Sequence, residues 1–105
     1  MTSSDDRRAT WTFLTHHARV LVQLARNPEA RQRDIAANLG ITERAVHAII
    51  NDLDQAGYLT RERDGRRNRY RLHLDQHFRH PREGGLPIGL LVAIFTDRDR
   101  HNHAD

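Results

Sequence analysis

Arginine side chains are concentrated in one short stretch of this 105-residue sequence. Residues 61–71 contain six of its 17 basic residues against two carboxylates, Glu62 and Asp64. Guanidinium groups stay charged at physiological pH and can bind a phosphate or a guanine edge through two hydrogen bonds. A basic patch confined to one segment is therefore a candidate phosphate-binding surface, the alternative being a solvated hairpin. The six residues are Arg61, Arg63, Arg66, Arg67, Arg69 and Arg71.

The sequence lacks the residues or the residue spacings that disulfides, metal sites and enzyme active sites require. The chain has no cysteine, which excludes disulfides, iron–sulfur clusters and thiolate zinc sites. Its eight histidines are scattered, with no His-x₃-His pair on a predicted helix, so we expect no metal site and no cofactor. No nucleophile stands with a base and an orienting group in a recognisable motif. We therefore expect that the chain is not an enzyme.

Composition and length predict a single domain with tails. The formal net charge is +3, and the 37% of hydrophobic residues can form only a small core, which an oligomeric partner would stabilise. The longest apolar run, Leu86–Phe95, is far shorter than a membrane-spanning helix requires. Residues Met1–Arg8 are polar and lack the apolar region of a secretion signal. We expect a cytoplasmic protein that does not enter a membrane.

Three predicted helices precede the arginine-rich stretch and must position it. The first begins after Thr15, its N-cap, and ends at Asn27-Pro28. A second, shorter helix lies within residues 29–41, with Gly40 just past its end. Thr42 is the predicted N-cap of the third helix. Apolar residues in that helix recur at i, i+3, i+4 and i+7, which predicts one buried face made of Val46, Ile49, Ile50 and Leu53.

The apolar period changes from 3.6 to 2 residues after the third helix. Apolar and polar residues alternate over 58–63 and again over 68–74, and Asp64-Gly65 between them marks a turn. This pattern predicts a β-hairpin with a basic tip. The remaining segments are predicted to be a disordered tail, a linker, an apolar helix and a polar tail, at residues 1–9, 75–85, 86–97 and 98–105 respectively.

The order helix, helix, tight turn, helix, hairpin carries a family resemblance. Ala36 is small where two helices approach, and Gly40 follows four residues later, where the turn needs a positive φ. The span from Thr10 to Leu74 resembles a winged helix-turn-helix regulator of the MarR-like class. The resemblance implies a mainly α (α+β) fold, with a three-helix core and a β-hairpin wing in a DNA-binding domain at residues 10–74, beside the C-terminal apolar helix. The strings that carry it are ARVLVQLARNP, IAANLGIT, LDQAGYL and DGRRNRYRL.

The resemblance implies that the third helix, residues 42–56, enters the major groove of DNA. Arg44 can then bind guanine through two hydrogen bonds, Asn51 can pair with adenine, and His47 can donate to a base or a phosphate. Glu43 can contact cytosine or stabilise the helix dipole, and we favour the dipole role. The face opposite the apolar one carries Thr42, Glu43, Arg44, His47, Ala48 and Asn51.

The same resemblance makes the hairpin a wing that contacts DNA. Arg66 and Arg67 at its tip are expected to reach the backbone or the minor groove. Arg31 and Arg33, near the start of the second helix, are candidate phosphate contacts. Two further residues, Asn68 and Arg69, are expected to assist the tip. Some strand arginines are expected to pair with Glu62, Asp64 or backbone carbonyls instead, namely Arg61, Arg63 and Arg71.

The segment Pro87–Phe95 is apolar nearly all round, so it must be covered. It either folds back on its own domain or packs against its copy in a second chain. We favour a two-fold homodimer, which would pair two third helices with a pseudo-palindromic site. The apolar cluster at residues 11–14 either lines a ligand pocket or, as we favour, caps a core or fills the dimer interface. The predicted interface contains Trp11, Phe13, Leu14, Ile88, Leu91, Val92 and Phe95.

These observations favour a sequence-specific regulator that binds double-stranded DNA, and we expect a repressor. The alternative is a winged helix used for protein–protein contact within a larger assembly, because a fold alone does not decide function. The basic hairpin and the polar face of the third helix favour DNA. The sequence identifies no small-molecule effector.

Overall fold

A computed structural model describes residues 11–104 of the chain, and the side chains of residues 11–97. The tail predicted at residues 1–9 lies outside the described residues. Within that part, the elements follow the order helix, helix, helix, hairpin, helix. The fold is the predicted one, a mainly α winged helix-turn-helix with a three-helix core and a two-stranded hairpin.

The first helix, α1, spans His16–Arg26 and has the predicted caps. The Thr15 side chain accepts a hydrogen bond from the backbone N–H of Ala18 at 3.1 Å, which satisfies one free donor of the first turn. The helix ends at Asn27 because the following Pro28 disfavours helical backbone in the residue before it. Its buried residues, Val20, Leu21, Val22 and Leu24, face the rest of the domain.

The helix-turn-helix consists of α2, Gln32–Leu39, and α3, Glu43–Gln55. Gly40 ends α2 with φ +70°, a left-handed conformation that costs residues with a Cβ about 1–2 kcal/mol. The N–H groups of Gly40 and Ile41 both donate to the carbonyl of Ala36. Thr42 caps α3, and its hydroxyl oxygen accepts from the N–H of Ala45 at 3.0 Å. Local chemistry therefore forms the turn as predicted.

The hairpin pairs β1, Leu59–Asp64, with β2, Arg67–Leu72, in antiparallel register from Leu59–Leu72 to Asp64–Arg67. Gly65 takes a φ of +65° in the two-residue loop that joins the strands, where glycine is unstrained. We call residues 59–72 the wing. A hydrogen bond of 2.9 Å from the N–H of Tyr70 to the carbonyl of Pro28 joins β2 to the loop between α1 and α2.

The core lies between α1, α2, α3 and the inner side of the wing. Val46, Ile49, Ile50 and Leu53 form the buried face of α3, as the helical spacing predicts. Among the described residues, no charged side chain is buried, so the core is held together by apolar packing. The largest fully buried side chains are Val20, Leu21, Leu24, Ile35, Val46, Ile50 and Leu59.

The segment predicted as a linker is an ordered loop. The N–H of Phe78 donates to the carbonyl of Leu86 at 3.0 Å, and the N–H of Gly89 donates to the carbonyl of Leu74 at 2.9 Å. Tyr58, whose ring is buried, donates its hydroxyl hydrogen to the carbonyl of His77. These bonds close the loop against the domain because backbone groups near the core must be paired.

The last helix, α4, spans Gly89–Ala104 and runs through most of the segment predicted as a polar tail. No glycine or proline follows Gly89 before its end, so nothing in the sequence stops the helix at residue 97. Val92 is 2% exposed and belongs to the core, and Ile88 packs against that core. The side of α4 that carries Val92 therefore folds back on its own domain, which corrects the prediction that Val92 faces a second chain. No helix in the described part is long and apolar enough to cross a membrane.

Candidate nucleic-acid interface

The exposed side of α3 carries the polar residues that the sequence predicts there. Thr42, Glu43, Arg44, His47 and Ala48 are all exposed. Neither Arg44 nor His47 forms a hydrogen bond or an ion pair with another described residue, so both side chains are available to a ligand. Thr42 uses its hydroxyl oxygen to cap the helix, and Glu43 lies in the first turn, where its charge favours the helix dipole.

Asn51 lies on the same stripe of α3 as Arg44, two helical turns or about 10 Å further along the axis. Its side-chain oxygen is not free, because Arg61 of β1 donates to it at 2.7 Å. The same guanidinium nitrogen donates to a carboxylate oxygen of Asp54 at 3.2 Å. Pairing with adenine would therefore require the Asn51 oxygen to accept a second hydrogen bond, and Arg61 joins α3 rather than Glu62 or Asp64.

The hydrogen bond from Arg61 to Asn51 connects the wing to the exposed polar face of α3. Arg61 lies in the half of β1 nearest the core, and Asn51 follows Arg44 on one line along the helix. The base of the wing therefore lies on the side of the molecule where Arg44 is exposed. Sequence reasoning missed this contact, because ten residues and a change of secondary structure separate its two partners.

The wing has an unpaired tip. Arg66 is exposed in the two-residue loop and has no hydrogen bond or ion pair with another described residue. Arg63 donates from Nε to the carbonyl of Gly65 at 3.3 Å, a contact that leaves its terminal nitrogens available. Asn68, paired with Arg63 across the strands, is exposed.

The body of the wing is paired with carboxylates. Arg69 contacts Glu29 at 3.0 Å, and Arg67 lies 3.9 Å from the other oxygen of the same carboxylate. Arg71 contacts Glu62 at 3.0 Å, as predicted for a strand arginine. Arg67 and Arg69 are therefore not free cations like Arg66, which modifies the expectation for both. Glu29 gives no signal in the sequence, because it is 40 residues from Arg69.

Two further arginines lie at the start of α2. Arg31, at the N-cap position, and Arg33, in the first turn, are exposed and make no side-chain contact with another described residue. Between them, Gln32 donates to the hydroxyl oxygen of Tyr70 in β2 at 3.3 Å. This end of α2 therefore lies beside the wing, and the structure brings its two free arginines near the wing arginines.

The apolar cluster at the N-terminal end lies on another part of the molecule. Trp11 and Phe13 stack edge to face with ring centroids 5.2 Å apart and are 68% and 91% exposed. Phe13 and the half-buried Leu14 line a cavity of about 860 Å³ between α1, the end of α3 and the ordered loop. His17 and Asp52 meet on its lining at 2.8 Å. Within the described residues, no group of three potential metal ligands is close enough to hold an ion.

Comparison with known proteins identifies similar folds. A model described as the MarR family matches residues 12–69, more than half of the chain. The fold is similar to that of a mutant of S. aureus MepR bound to an oligodeoxyribonucleotide, with a TM-score of 0.53, 18% identity and 87% of this chain covered. The PcaV transcriptional regulator from Streptomyces coelicolor, in complex with its natural ligand, aligns over 86% of this chain with a TM-score of 0.47 and 23% identity. This chain covers 64% of the length of each of these two structures, less than two thirds. No curated protein matches the sequence.

Proposed function

The chain belongs to the MarR family, and from this premise we propose that it binds double-stranded DNA with sequence specificity and regulates transcription. The observation that carries the proposal is the Arg61–Asn51 hydrogen bond, which ties the base of the wing to the stripe of α3 on which Arg44 is exposed. A helix and a wing on one side suit a surface that spans a major groove and the backbone beside it. No large apolar side chain on α3 is exposed, which disfavours a protein-docking role for this face.

Base reading is assigned to the N-terminal half of α3. Arg44 donates two hydrogen bonds to a guanine edge, and His47, one turn later, reaches a base or a phosphate. Asn51 offers its amide N–H groups to DNA, while its oxygen already accepts one hydrogen bond from Arg61. Its part in base reading is therefore secondary to that of Arg44 and His47.

Phosphate contacts are assigned to the free cations around that helix. Arg66 at the wing tip inserts into the minor groove or contacts the backbone, and Arg31 and Arg33 contact the backbone from the start of α2. These contacts position the protein and carry no base information. They supply the salt-dependent part of the affinity.

The salt dependence of binding tests this function. We expect the protein to bind random duplex DNA with an affinity that falls steeply between 50 and 200 mM salt, as phosphate neutralisation requires (~10³-fold or more for six contacts). Arg66→Ala should weaken binding on all sequences and flatten the slope of log K against log salt by about 1 for each protomer bound. Arg82→Ala, at an exposed arginine in the ordered loop, is the matched control and should leave the slope unchanged. Failure of the wild-type protein to bind duplex DNA at 50 mM salt would refute the proposed function. If Arg66→Ala leaves the salt slope unchanged, the wing tip does not contact phosphate.

We further propose that the regulator is a homodimer and acts as a repressor by occupying a pseudo-palindromic site. Leu90 and Ile94 are 53% and 64% exposed on the outer side of α4, and Trp11 and Phe13 add apolar surface. Four large apolar side chains exposed to solvent are typical of a surface that a partner covers. Leu91 and Phe95, half-buried, lie at the edge of the same helix face.

Charged residues on the outer face of α4 are expected to prevent dimerisation. Leu90→Glu with Ile94→Glu should convert a dimer to a monomer in analytical ultracentrifugation, because two carboxylates would be buried without partners. Leu86→Glu, at an exposed leucine in the ordered loop, should remain dimeric. A double variant that sediments as a dimer, or a wild-type protein that sediments as a monomer, would contradict the assignment of α4.

A further inference from the structure

We infer that Glu29 is an intramolecular counter-ion that occupies Arg69 and Arg67 and so limits the affinity of the wing for DNA of any sequence. The inference rests on the proposed DNA-binding function and adds a residue that opposes it. In the absence of DNA, the Glu29 carboxylate accepts a hydrogen bond that Arg69 could otherwise donate to a phosphate.

Glu29 makes one charge-assisted hydrogen bond to the wing, from Arg69, and lies at ion-pair distance from Arg67. One oxygen of Glu29 accepts a hydrogen bond from Arg69 at 3.0 Å, and the other lies 3.9 Å from Arg67. Carboxylates and phosphates both offer oxygen atoms to the planar donors of a guanidinium. Glu29 therefore competes with a phosphate for the Nη1 atom of each arginine, while the other guanidinium nitrogens stay available. A phosphate that binds either arginine displaces Glu29 or brings two anions close together.

Glu29 is held beside β2 by its backbone, independently of the ion pairs. Its N–H donates to the side-chain oxygen of Asn27 at 3.1 Å, and the N–H of Ala30 donates to the carbonyl of Asn27 at 3.0 Å. The carbonyl of Pro28 accepts from the N–H of Tyr70, the residue next to Arg69. Replacing the carboxylate with an amide therefore leaves the loop and the wing attached to each other.

Charge is distributed unevenly along the wing. The tip residue Arg66 has no partner, whereas Arg67, Arg69 and Arg71 in the body each face a carboxylate. Glu29 and Arg69 have side-chain exposures of 41% and 52%, so solvent screens their pair and it is weak. DNA can displace such a pair at modest cost. Glu29 thus reduces the affinity for duplex DNA without preventing binding.

The amide variant Glu29→Gln tests the inference by the salt titration used for the wild-type protein. We expect binding to random duplex about 2- to 10-fold tighter at 50 mM salt, and a salt slope steeper by about 1–2 for each protomer bound, because each protomer neutralises one or two more phosphates. Glu83→Gln removes the same charge from an exposed glutamate whose side chain forms no hydrogen bond or ion pair with another described residue, and it should leave both quantities unchanged. In a background with Arg67→Ala and Arg69→Ala, Glu29→Gln should have no effect.

The possible outcomes separate the inference from the function on which it rests. A gain in affinity that appears with Glu29→Gln, is absent with Glu83→Gln and disappears in the double-alanine background supports the counter-ion role. Unchanged or weaker binding by Glu29→Gln, or an equal gain with Glu83→Gln, overturns it while the wild-type salt dependence stands. A wild-type protein that does not bind duplex overturns the proposed function itself. Thermal melting of each variant by circular dichroism confirms that only folded proteins are compared.

Discussion

Replacement of Arg44 by alanine is expected to weaken binding to the preferred DNA site by about 5- to 150-fold, while binding to random duplex stays nearly unchanged. Arg44 is exposed in the first turn of α3 and has no partner among the described residues, so its loss should not disturb the fold. A guanidinium that binds guanine through two hydrogen bonds discriminates between bases, whereas one that binds phosphate does not. The site is first selected from a random oligonucleotide pool, and both affinities are then measured by fluorescence anisotropy.

Lysine at the same position is the control for charge. Arg44→Lys keeps the positive charge but loses the planar pair of donors, so it should retain random-duplex binding and recover only part of the specific affinity. Arg66→Ala should show the opposite behaviour, a loss that is similar on both DNAs. An equal loss on the selected site and on random duplex for Arg44→Ala would make Arg44 a phosphate contact and would move base reading elsewhere on α3.

Replacement of Ile50 by alanine is expected to lower the free energy of unfolding by about 2–5 kcal/mol. Ile50 is fully buried on the inner face of α3 and belongs to the single apolar core that unites α1, α2 and the wing. The loss combines the transfer free energy of the deleted methyl groups with the cavity that remains. Because small domains have only about 5–15 kcal/mol of stability, the variant should unfold at a much lower urea concentration.

A smaller substitution at Ile50 tests whether the loss of stability grows with the size of the cavity that the substitution creates. Ile50→Val deletes one methyl group and should cost about 0.5–1.5 kcal/mol, so the two variants should form a graded series in urea denaturation. Under conditions where Ile50→Ala remains folded, its DNA affinity should match that of the wild type, since Ile50 is not exposed. A loss below about 1 kcal/mol for Ile50→Ala would show that the face opposite Arg44 is not the packed core.

The helical core was predictable from sequence because its signals are local. Thr15 and Thr42 cap helices through hydrogen bonds to residues three positions away, and Gly40 ends α2 with its own backbone conformation. The predicted end of the last helix was wrong, since α4 continues to Ala104. No capping signal marks that end, and the polarity of residues 98–104 does not by itself stop a helix.

The candidate site was predictable in outline and not in detail. The exposed stripe with Arg44 and His47 follows from the helical period, because burial of Val46 and Ile50 leaves the other side to solvent. The spacing of apolar residues does not show which arginines lack a hydrogen-bond or ion-pair partner. Asn51 and Arg61, or Glu29 and Arg69, become neighbours only when the hairpin packs on the helices.

Four features could be predicted from local sequence alone: the helices of the core, the turn at Gly40, the hairpin and the concentration of positive charge near Gly65. Each of these depends on residues within a few positions of one another, where capping, backbone conformation and apolar period act. Two other features arise only when the elements pack together: Val92 of α4 is buried in its own domain, and the Glu29 carboxylate contacts Arg69 and lies at ion-pair distance from Arg67. Such pairings depend on distances between atoms far apart in the chain, and these are set by the packing of whole elements.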